Sequence, residues 1–426
     1  MPSETADLAI VGAGAAGLMA AIAAARSKKP GPKILLFDSR NKIGAKILIS
    51  GGTRCNVTNV RVTPSDYEGG PSHFVKHVLE AFTPDETKEF FRELGVELIL
   101  EPTGKYFPTT HSGKTVLDAL LNEIKKQEVS LKTGIRITEI KKTEKLFYLK
   151  GCPLSGTESN WECAAKRVIL ATGGLSYPET GSDGTGLQIA KNLGHTINRT
   201  SPALTPLTTD DADWTSLTGI ALEAGLSFFK NDKKEAERKG SFLFTHFGFS
   251  GPAALDISRF LAAAEPKEKP QIVASFLPLE TQGSLEKSFE ALAMKHPEKM
   301  IKSFLIESAG LSSRFVDIFL KKAEIDGTQL LKKCSKNIRN RLLHTLLNCP
   351  LKITGVVGYK KAEVTAGGVK LKEIKYSTME SKIVPGLYFT GETLDIDGRI
   401  GGFNFQWAWS TGAIAGRSAA KSLQSP

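Results

Sequence analysis

The sequence has few cysteines, and they are not arranged for a structural role. The 426 residues include Cys55, Cys152, Cys163, Cys334 and Cys349, an odd count without a Cys-x-x-Cys pair. A disulfide framework needs paired cysteines and a structural zinc site needs closely spaced ligands, so we predict neither, and no metal site. Unpaired cysteines favour a reducing compartment, and we predict a cytoplasmic protein.

The chain also lacks a recognisable secretion signal and an unbroken membrane-spanning segment. The first residues carry Glu4 and Asp7 where a signal peptide carries lysine or arginine. The small apolar residues of 8–25 are numerous enough to span a bilayer, but three glycines interrupt them. A strand followed by a helix explains this segment better, and we predict no membrane partner.

Negative charge is scarce in one long stretch of the chain. The net charge is +11, and residues 321–361 carry ten lysines and arginines against Glu324 and Asp326, a net charge of +8. Such a run is usually an ordinary solvated surface, and it is also expected for a protein that binds a polyanion such as a nucleic acid. Aromatic residues, 8% of the chain, are almost absent from this stretch, so base stacking is not indicated.

The N-terminal segment "DLAIVGAGAAGLMAAIAAARS" has the pattern of a dinucleotide-binding β-α-β unit. Gly12, Gly14 and Gly17 lie between a short apolar strand and an alanine-rich helix that begins near Ala15. Gly12 permits the turn, Gly14 lets a pyrophosphate approach the backbone, and Gly17 packs the helix on the sheet. The next strand, "KILLFD", ends at Asp38, which can accept hydrogen bonds from ribose hydroxyls.

The distribution of strands and helices predicts an α/β fold with a discontinuous Rossmann-like domain. Further buried strands are predicted at 135–140, 167–172 and 386–392, and helices at 74–94 and 115–126. Residues 200–276 have a β-rich character and residues 284–347 a helical one. We predict a dinucleotide-binding domain of 1–197 and 355–426, a β-rich insert of 198–278 with 340–354, and a helical insert of 279–339.

The first glycine motif cannot decide between NAD and FAD, but the C-terminal segment "FTGETLDIDGRIGGFNFQWAWSTGAIAG" can. It contains a second glycine turn before a predicted helix, which suits a long cofactor with a ring to hold. Asp395 can bind ribityl or linker hydroxyls, and backbone N–H groups of the helix start can stabilise negative charge on a reduced flavin. The predicted contacts in this segment are Gly391, Glu392, Asp395, Gly402, Asn404, Phe405 and Gln406; the two tryptophans are predicted core residues.

Several long motifs resemble the HI0933-like (YhiN-like) family of bacterial flavoproteins. They are "GAKILISGGTRCNVTN", "ILATGGLSYPETGSDGTG", "LFTHFGFSGPAALDIS", "AEVTAGGV" and the C-terminal loop. The resemblance covers residues 7–420 and implies a FAD domain of the two-dinucleotide-binding type with a β-rich and a helical insert. This chain departs from the family at Ala45, where the family more often has arginine, and at Thr53, where it has a third glycine.

The resemblance also implies which residues meet the cofactor. Lys46 and Arg54 would pair with phosphates, and the segment from Ser50 would run beneath the flavin. The residues implied in addition to those above are Ser50, Gly51, Gly52, Cys55, Asn56, Ile137, Thr172, Gly173 and Gly174. A nicotinamide site is not visible, so NAD(P)H is predicted only as an external reductant.

Five side chains are candidates for moving a proton: Cys55, His111, Tyr177, His246 and Glu392. We select Cys55 and His246 as catalytic candidates, although we expect a packing role for Cys55, an exposed loop position for His111, and for His246 equally a structural role in its turn. The resemblance implies a flavin oxidoreductase, and because assigned activities vary across the family, three functions stay open. The first is flavin-dependent reduction of uridine to dihydrouridine in ribosomal RNA, with structured RNA bound through the basic residues of 321–361. The second is oxidation of a small amine or amino ketone, and the third is a flavin-loaded binding protein without turnover.

Overall fold

The computed structural model describes residues 4–27, 30–154 and 161–424. The chain forms two compact units, Met1–Pro202 with Glu363–Pro426 and Ala203–Ala362. Residues 198–202 therefore belong to the first unit and residues 355–362 to the second, a few residues from the boundaries predicted above. Because both ends of the chain build the first unit, that unit is discontinuous in sequence.

The strands of the described residues are, in chain order, β1 Glu4–Val11, β2 Ile34–Phe37, β3 Thr58–Asn59, β4 Tyr67–Glu68, β5 Leu98–Leu100, β6 Lys105–Pro108, β7 Ser130–Lys132, β8 Ile135–Lys142, β9 Phe147–Pro153, β10 Trp161–Leu170, β11 Ile197–Ala203, β12 Leu207–Thr208, β13 Ala221–Lys230, β14 Lys233–Thr245, β15 Gly248–Ser250, β16 Gln271–Ser275, β17 Cys349–Leu351, β18 Gly355–Val356, β19 Val364–Val369, β20 Ile374–Lys375, β21 Glu380–Ser381, β22 Leu387–Phe389 and β23 Asp397–Gly398.

The α-helices of the same residues are α1 Ala15–Arg26, α2 Ala45–Ile49, α3 Ser72–Ala81, α4 Pro84–Glu93, α5 Gly113–Lys126, α6 Thr185–Asn192, α7 Ala212–Thr215, α8 Pro252–Ala263, α9 Gln282–Lys295, α10 Ile301–Ser303, α11 Ser313–Lys322, α12 Lys336–Leu347 and α13 Phe403–Ser422. None of the helices described is long and apolar enough to cross a bilayer.

The first unit is built on a sheet with the order β20-β21-β22-β10-β1-β2-β7. Strands β22, β10, β1, β2 and β7 are parallel to one another, and β20, β21 and β22 pair antiparallel at one edge. Strand β1 lies at the centre and has fully buried Leu8, Ala9 and Ile10, as expected for a strand covered on both faces. The predicted α/β class with a Rossmann-like β-α-β unit is therefore confirmed.

Helix α13 packs closely along α1 and joins the two ends of the chain. A Cβ atom at Gly412 would lie 2.6 Å from the carbonyl oxygen of Ala16, and one at Gly416 would lie 2.2 Å from that of Ala20. Only glycine permits such an approach between helix backbones. Because both residue numbers rise together along the contact, the two helices run in the same direction.

The helix predicted for residues 74–94 is wrong in one respect, because it is two helices. Helix α3 ends at Ala81, and α4 begins after Thr83, whose side chain accepts a hydrogen bond from the Glu86 N–H. The Glu86 carboxylate in turn accepts a hydrogen bond from the Thr83 N–H, and Pro84 occupies the first position of α4. This capping box and the proline start a new helix where the apolar pattern alone suggests continuity.

The motif "AEVTAGGV" forms the buried strand β19. Gly367 and Gly368 have φ values of +87° and +138°, and each would place a Cβ atom within 3 Å of a neighbouring backbone. The neighbours are Arg199 in β11 and the segment Thr393–Leu394. The two glycines are therefore needed for backbone conformation and close packing.

The second unit combines a sheet of order β17-β16-β13-β14-β15-β12-β18 with helices α7 to α12. The β-rich and helical segments share one hydrophobic cluster, which includes Trp214, Phe244, Phe276 and Phe315. Trp214 contacts the rings of the other three at centroid distances of 5.6 to 6.2 Å. The division of this unit into two separate domains stays a prediction.

Candidate functional site

The first glycine turn leaves open space at one glycine only. At Gly12, with φ +105°, a Cβ atom would lie 2.3 Å from the Ala171 carbonyl oxygen, and at Gly17 it would lie 1.8 Å from that of Gly12. At Gly14, which precedes α1, a Cβ atom would meet nothing within 4 Å. Gly12 and Gly17 are thus required by the fold, whereas Gly14 leaves free space at the helix N-terminus, and the partly buried Ala15 follows it.

Asp38 lies directly after β2, beside this turn. Its Oδ2 accepts a hydrogen bond from the Ala13 N–H at 2.8 Å, and its Oδ1 accepts one from the Arg40 N–H at 2.8 Å. Burial raises the pKa of this carboxyl group, and the two hydrogen bonds oppose that rise. A carboxylate has about four acceptor sites, so capacity for ribose hydroxyls remains.

The loop after α2 has an unusual backbone. Gly51, Gly52, Thr53 and Cys55 all have φ between +55° and +70°. Thr53 is β-branched, and its left-handed conformation is strained. This strain gives a physical reason for the glycine that the family more often has at the same position.

Arg54 is held by its neighbours in this loop. Its guanidinium carbon lies 4.0 Å from the centre of the Phe107 ring, and Nη1 lies 2.5 Å from Oε1 of Glu101. Nε donates to the Gly51 carbonyl oxygen at 3.3 Å. The side chain predicted to pair with a phosphate therefore fixes the loop in this structure, and its contact with a phosphate stays a prediction.

Lys46, the other predicted phosphate partner, belongs to a ring of hydrogen-bonded side chains. Its Nζ lies 2.6 Å from Ser176 Oγ and 2.7 Å from Glu392 Oε2. Ser176 Oγ donates to Glu392 Oε1 at 2.5 Å, which also accepts the Thr365 N–H at 2.8 Å. Burial alone would raise the pKa of Glu392, but Lys46, Ser176 and Thr365 together lower it. Glu392 is therefore a carboxylate at neutral pH.

The "RCNVTN" motif meets the second glycine turn. Asn59 Nδ2 donates to the Gly401 carbonyl oxygen at 2.9 Å, and Asn404 bonds both the N–H and the carbonyl of Gly398 at 2.8 Å. A Cβ atom at Gly402 would lie 2.8 Å from Asn56 Oδ1, a buried atom without a hydrogen-bond partner in the described structure. The turn that starts α13 is therefore held by residues from both ends of the chain.

The first turn of α13 keeps its free N–H groups. The N–H groups at Phe403, Asn404 and Phe405 have no intrahelical acceptor, as at every helix start. The N–H of Gln406 was also predicted to face the cofactor, but it donates to the Gly402 carbonyl oxygen at 2.9 Å. Its buried side chain bonds Thr58, Thr87, Phe82 and Ser410, so it stabilises the fold.

The other predicted cofactor residues surround the same end of the sheet. Thr172, Gly173 and Gly174 follow β10, and Ile137 is buried in β8. Gly391 follows β22 and accepts a hydrogen bond from Trp407 Nε1 at 3.2 Å. Asp395 is buried and accepts Asn198 Nδ2 at 2.5 Å. The structure shows where these residues lie, and contact of each with a cofactor stays a prediction.

Sequence reasoning missed three residues that organise the site: Ser176, Thr365 and Asn59. Thr365 Oγ1 accepts the N–H groups of Leu175 and Ser176 at 2.8 and 3.0 Å. Each of the three lies inside a motif quoted above, but its partners are distant along the chain. The described residues contain no cluster of three or more histidine, cysteine, aspartate or glutamate residues that could hold a metal.

Comparison with known proteins identifies the family. The model described as "HI0933-like protein Rossmann domain" matches residues 6–418. The chain belongs to the HI0933-like family. It is a flavin-dependent oxidoreductase, and its first unit is a Rossmann-like FAD-binding domain.

Three curated relatives match over nearly their whole length. A 3-dehydro-bile acid delta(4,6)-reductase of Clostridium scindens is 34% identical, covering 97% of this chain and 99% of its own. A ribosomal RNA dihydrouridine synthase of Escherichia coli is 34% identical over 96% of each chain. The enzyme of the same name from Haemophilus influenzae is 33% identical, over 96% of this chain and 97% of its own.

Solved structures show the same fold at low sequence identity. A flavocytochrome c3 fumarate reductase has a TM-score of 0.51 and 16% identity, covering 100% of this chain and 79% of its own. A 3-ketosteroid-delta4-(5alpha)-dehydrogenase from Rhodococcus jostii RHA1 has a TM-score of 0.50 and 16% identity, covering 99% of this chain and 98% of its own. These likenesses concern the fold alone.

The geometry of the HI0933-like first unit fits FAD. Helices α1 and α13 run in the same direction, and α13 begins nine residues before its contact with the start of α1. Because α1 begins only one residue before the same contact, at 1.5 Å per residue the N-terminus of α13 lies roughly 12 Å behind that of α1 along the shared direction. Two helix N-termini at this separation suit a cofactor with a pyrophosphate at one point and an electron-accepting ring at another.

Cys55 is placed for packing. Its side chain is fully buried in the core of the first unit, and burial raises the pKa of the thiol to about 12, with a smaller opposing effect from Ser50. The thiol is therefore protonated and shielded at neutral pH. Its catalytic role stays a prediction that this environment does not favour.

His246, the other catalytic candidate, lies in the second unit, in the exposed turn between β14 and β15. Its ring contacts only the neighbouring Phe247 among the described aromatic groups, at a centroid distance of 4.9 Å. This position neither supports nor removes its predicted role.

Replacement of Gly14 by leucine should empty the FAD site and leave the fold intact. The fold has free space at this position, but a side chain there would fill the approach of a pyrophosphate to the α1 N-terminus. We expect a folded, colourless protein, measured by circular dichroism and by FAD released on denaturation. Full flavin occupancy in Gly14→Leu would contradict this assignment. Gly283→Ala, at an open position of α9, is the control that should keep both the fold and the bound FAD.

Cys55→Ala should keep its FAD and its turnover within a few-fold, with a loss of about 1 kcal/mol in the free energy of unfolding. A raised pKa in the folded state means that Cys55 contributes stability below about pH 9, where the unfolded thiol also keeps its proton. That contribution falls by about 1.4 kcal/mol per pH unit above this value. Urea denaturation of both proteins from pH 7 to 10.5 measures the difference. A flavin-loaded but inactive variant would instead identify Cys55 as a proton donor.

Proposed function

We propose that this chain uses FAD to reduce a carbon–carbon double bond conjugated to a carbonyl group, with uridine in ribosomal RNA as its substrate. The observation that carries the reaction class is that full-length relatives with different substrates are named for the same bond change. Dihydrouridine is uridine with two hydrogens added across C5=C6, a bond conjugated to the C4 carbonyl. A delta(4,6)-reductase of a 3-dehydro steroid likewise adds hydrogens to double bonds conjugated to a ketone.

The reaction requires a hydride, a proton and a shielded reacting centre. Bound FAD, once reduced, supplies the hydride, and the protein supplies orientation and the proton. Both relatives act by reduction, so we prefer reduction to the oxidation of a small amine or amino ketone, which stays a prediction. Because the chain belongs to a family of flavin-dependent oxidoreductases, we do not propose that it is a flavin-loaded binding protein without turnover.

The basic segment 321–361 supports RNA binding through a subset of its residues. Lys333, Lys336, Lys360 and Lys361 are exposed, and no carboxylate in the described parts of the chain pairs with them. Four such lysines in the second unit are available for phosphates. We therefore place the RNA contact on these four.

The rest of this segment favours a second candidate, a small conjugated ketone such as a 3-oxo-4,6-diene steroid. Half of its ten cations are paired with acids from outside the segment: Lys321 with Asp213, Lys322 with Asp211, Lys332 with Glu298, Arg339 with Glu290 and Lys352 with Asp210. Arg341 donates to the Glu324 carbonyl oxygen at 2.6 Å. This neutralisation weakens the electrostatic argument for a polyanionic substrate.

The direct test is an anaerobic reduction assay with both substrates. The FAD-loaded protein is reduced with dithionite, or separately with NADH or NADPH, and mixed with unmodified ribosomal RNA or with a 3-oxo-4,6-dienoic bile acid. We expect nucleoside mass spectrometry to show dihydrouridine. Reduction of the bile acid alone would select the second candidate, and reduction of neither would contradict the proposed reaction class. The three reductants show whether a nicotinamide can feed the flavin.

Replacing three of the four unpaired lysines should weaken RNA binding more than replacing three paired ones. Each neutralised phosphate contributes about −0.9 to the log–log salt slope on a duplex and about −0.7 on a single strand. For Lys333→Gln/Lys336→Gln/Lys361→Gln we expect the slope to flatten by about two to three, with unchanged flavin content. The matched control, Lys321→Gln/Lys332→Gln/Lys352→Gln, removes the same charge from ion-paired positions and should change the salt slope less. Equal slopes in the two variants would contradict this RNA contact.

A further inference from the structure

Tyr177 directly follows a residue that is held on several sides. Ser176 is fully buried, and its N–H donates to Thr365 Oγ1 at 3.0 Å. Its hydroxyl lies in the ring with Lys46 and Glu392, at 2.6 and 2.5 Å. Residue 176 therefore has little freedom, and the direction in which the chain leaves it is set by hydrogen-bonded partners from distant segments, two of them charged.

The backbone of Tyr177 is in a conformation that an aromatic residue rarely adopts. Its φ is +47° and its ψ is 65°, in the left-handed region. Pro178 follows, and a residue before proline is restricted further. The conformation persists because the Tyr177 carbonyl oxygen accepts the N–H and the hydroxyl of Thr180, at 2.8 and 2.7 Å.

Some of the left-handed residues that the structure describes have a local explanation that Tyr177 lacks. Asn231 and Asp232, for example, form the two-residue turn of the β13–β14 hairpin, where asparagine and aspartate are favoured. A tyrosine offers no such turn chemistry. Strain that the surrounding structure maintains at a position of this kind is typical of a functional residue.

The phenol of Tyr177 is available as a donor. The side chain is half-buried, and its hydroxyl has no hydrogen-bond partner among the described residues. Burial raises the pKa of the phenol, and the Glu363 carboxylate raises it further, so the hydroxyl keeps its proton at neutral pH. The residue comes three positions after Gly174, part of the segment whose backbone is predicted to face the cofactor.

The other candidates of the first unit are less suitable. The Cys55 thiol is fully buried. Lys46 and Glu392 are bonded to each other. The His111 ring is exposed on the loop before α5, where no described group orients it.

We propose that Tyr177 is the proton donor of the reduction, an inference that rests on the proposed function. A hydride from reduced FAD forms a C–H bond at the carbon β to the carbonyl, and the π electrons of the C=C bond move toward the carbonyl oxygen. The Tyr177 O–H bond breaks as its proton forms the second C–H bond, at the α carbon. The substrate gains two electrons and two hydrogens, FAD is regenerated in its oxidised form, and solvent returns a proton to the phenolate.

The test is Tyr177→Phe in the FAD-loaded protein, which removes one unpartnered oxygen and preserves the ring. With the probe that the wild type reduces, ribosomal RNA or the 3-oxo-4,6-dienoic bile acid, we expect a turnover lower by about 10² to 10⁴-fold, the range for loss of a general acid. FAD content and oxidation of the reduced flavin by ferricyanide should be unchanged, because ferricyanide needs no proton at carbon. The control Tyr148→Phe, at an exposed position of β9, should behave as the wild type.

The outcomes separate the two proposals. Turnover of Tyr177→Phe within three-fold of the wild type would overturn the role of Tyr177 and leave the proposed function standing. A parallel loss of ferricyanide reaction or of FAD would also overturn it, because the residue would then act through the cofactor site. If the wild type reduces neither probe, the proposed function fails first, and the inference that rests on it fails with it.

Discussion

The close approach of α1 and α13 is the constraint on which the first unit depends. It requires glycine at 412 and 416, because the opposing surface is the backbone of α1 itself. The contact fixes the register of the two helices and therefore the distance between their N-termini. One N-terminus follows the open Gly14 turn, and the other follows the Gly401–Gly402 turn that Asn59 and Asn404 hold. Helix packing thus sets the length of the cofactor that the unit can accept.

Charges in the candidate site are mostly satisfied within the protein. Lys46 pairs with Glu392, Arg54 with Glu101, and Asp38 accepts two backbone N–H groups. Partners of this kind orient side chains before a ligand arrives, which lowers the ordering cost of binding. They also mean that a cation near a cofactor motif need not be a phosphate ligand. The same holds for the basic segment of the second unit, where acids distant in sequence neutralise half of the cations.

The sequence predicts the elements whose chemistry is local. The glycine turn, the acid that ends β2 and the apolar strands depend on neighbours within a few residues, and the Rossmann-like fold is confirmed. The break between α3 and α4 was also readable, since Thr83, Pro84 and Glu86 form a capping box, but the apolar spacing obscured it. The partners of Lys46, 130 and 346 residues away, were not readable, because no local pattern links them. For the same reason, the charge count of residues 321–361 does not reveal that half of these cations are paired with distant acids.

The chain order of the first unit has a consequence for its biosynthesis. Strand β10 needs β22 as its neighbour, and α1 needs α13, yet β22 and α13 are translated after the whole of the second unit. While the ribosome synthesises residues 203–362, the apolar side of α1 and one edge of the central sheet have no native partner. The second unit, contiguous and with its own core, can fold during that interval. The nascent N-terminal half therefore exposes apolar surface until β22 and α13 have been synthesised, and exposed surface of this kind favours aggregation.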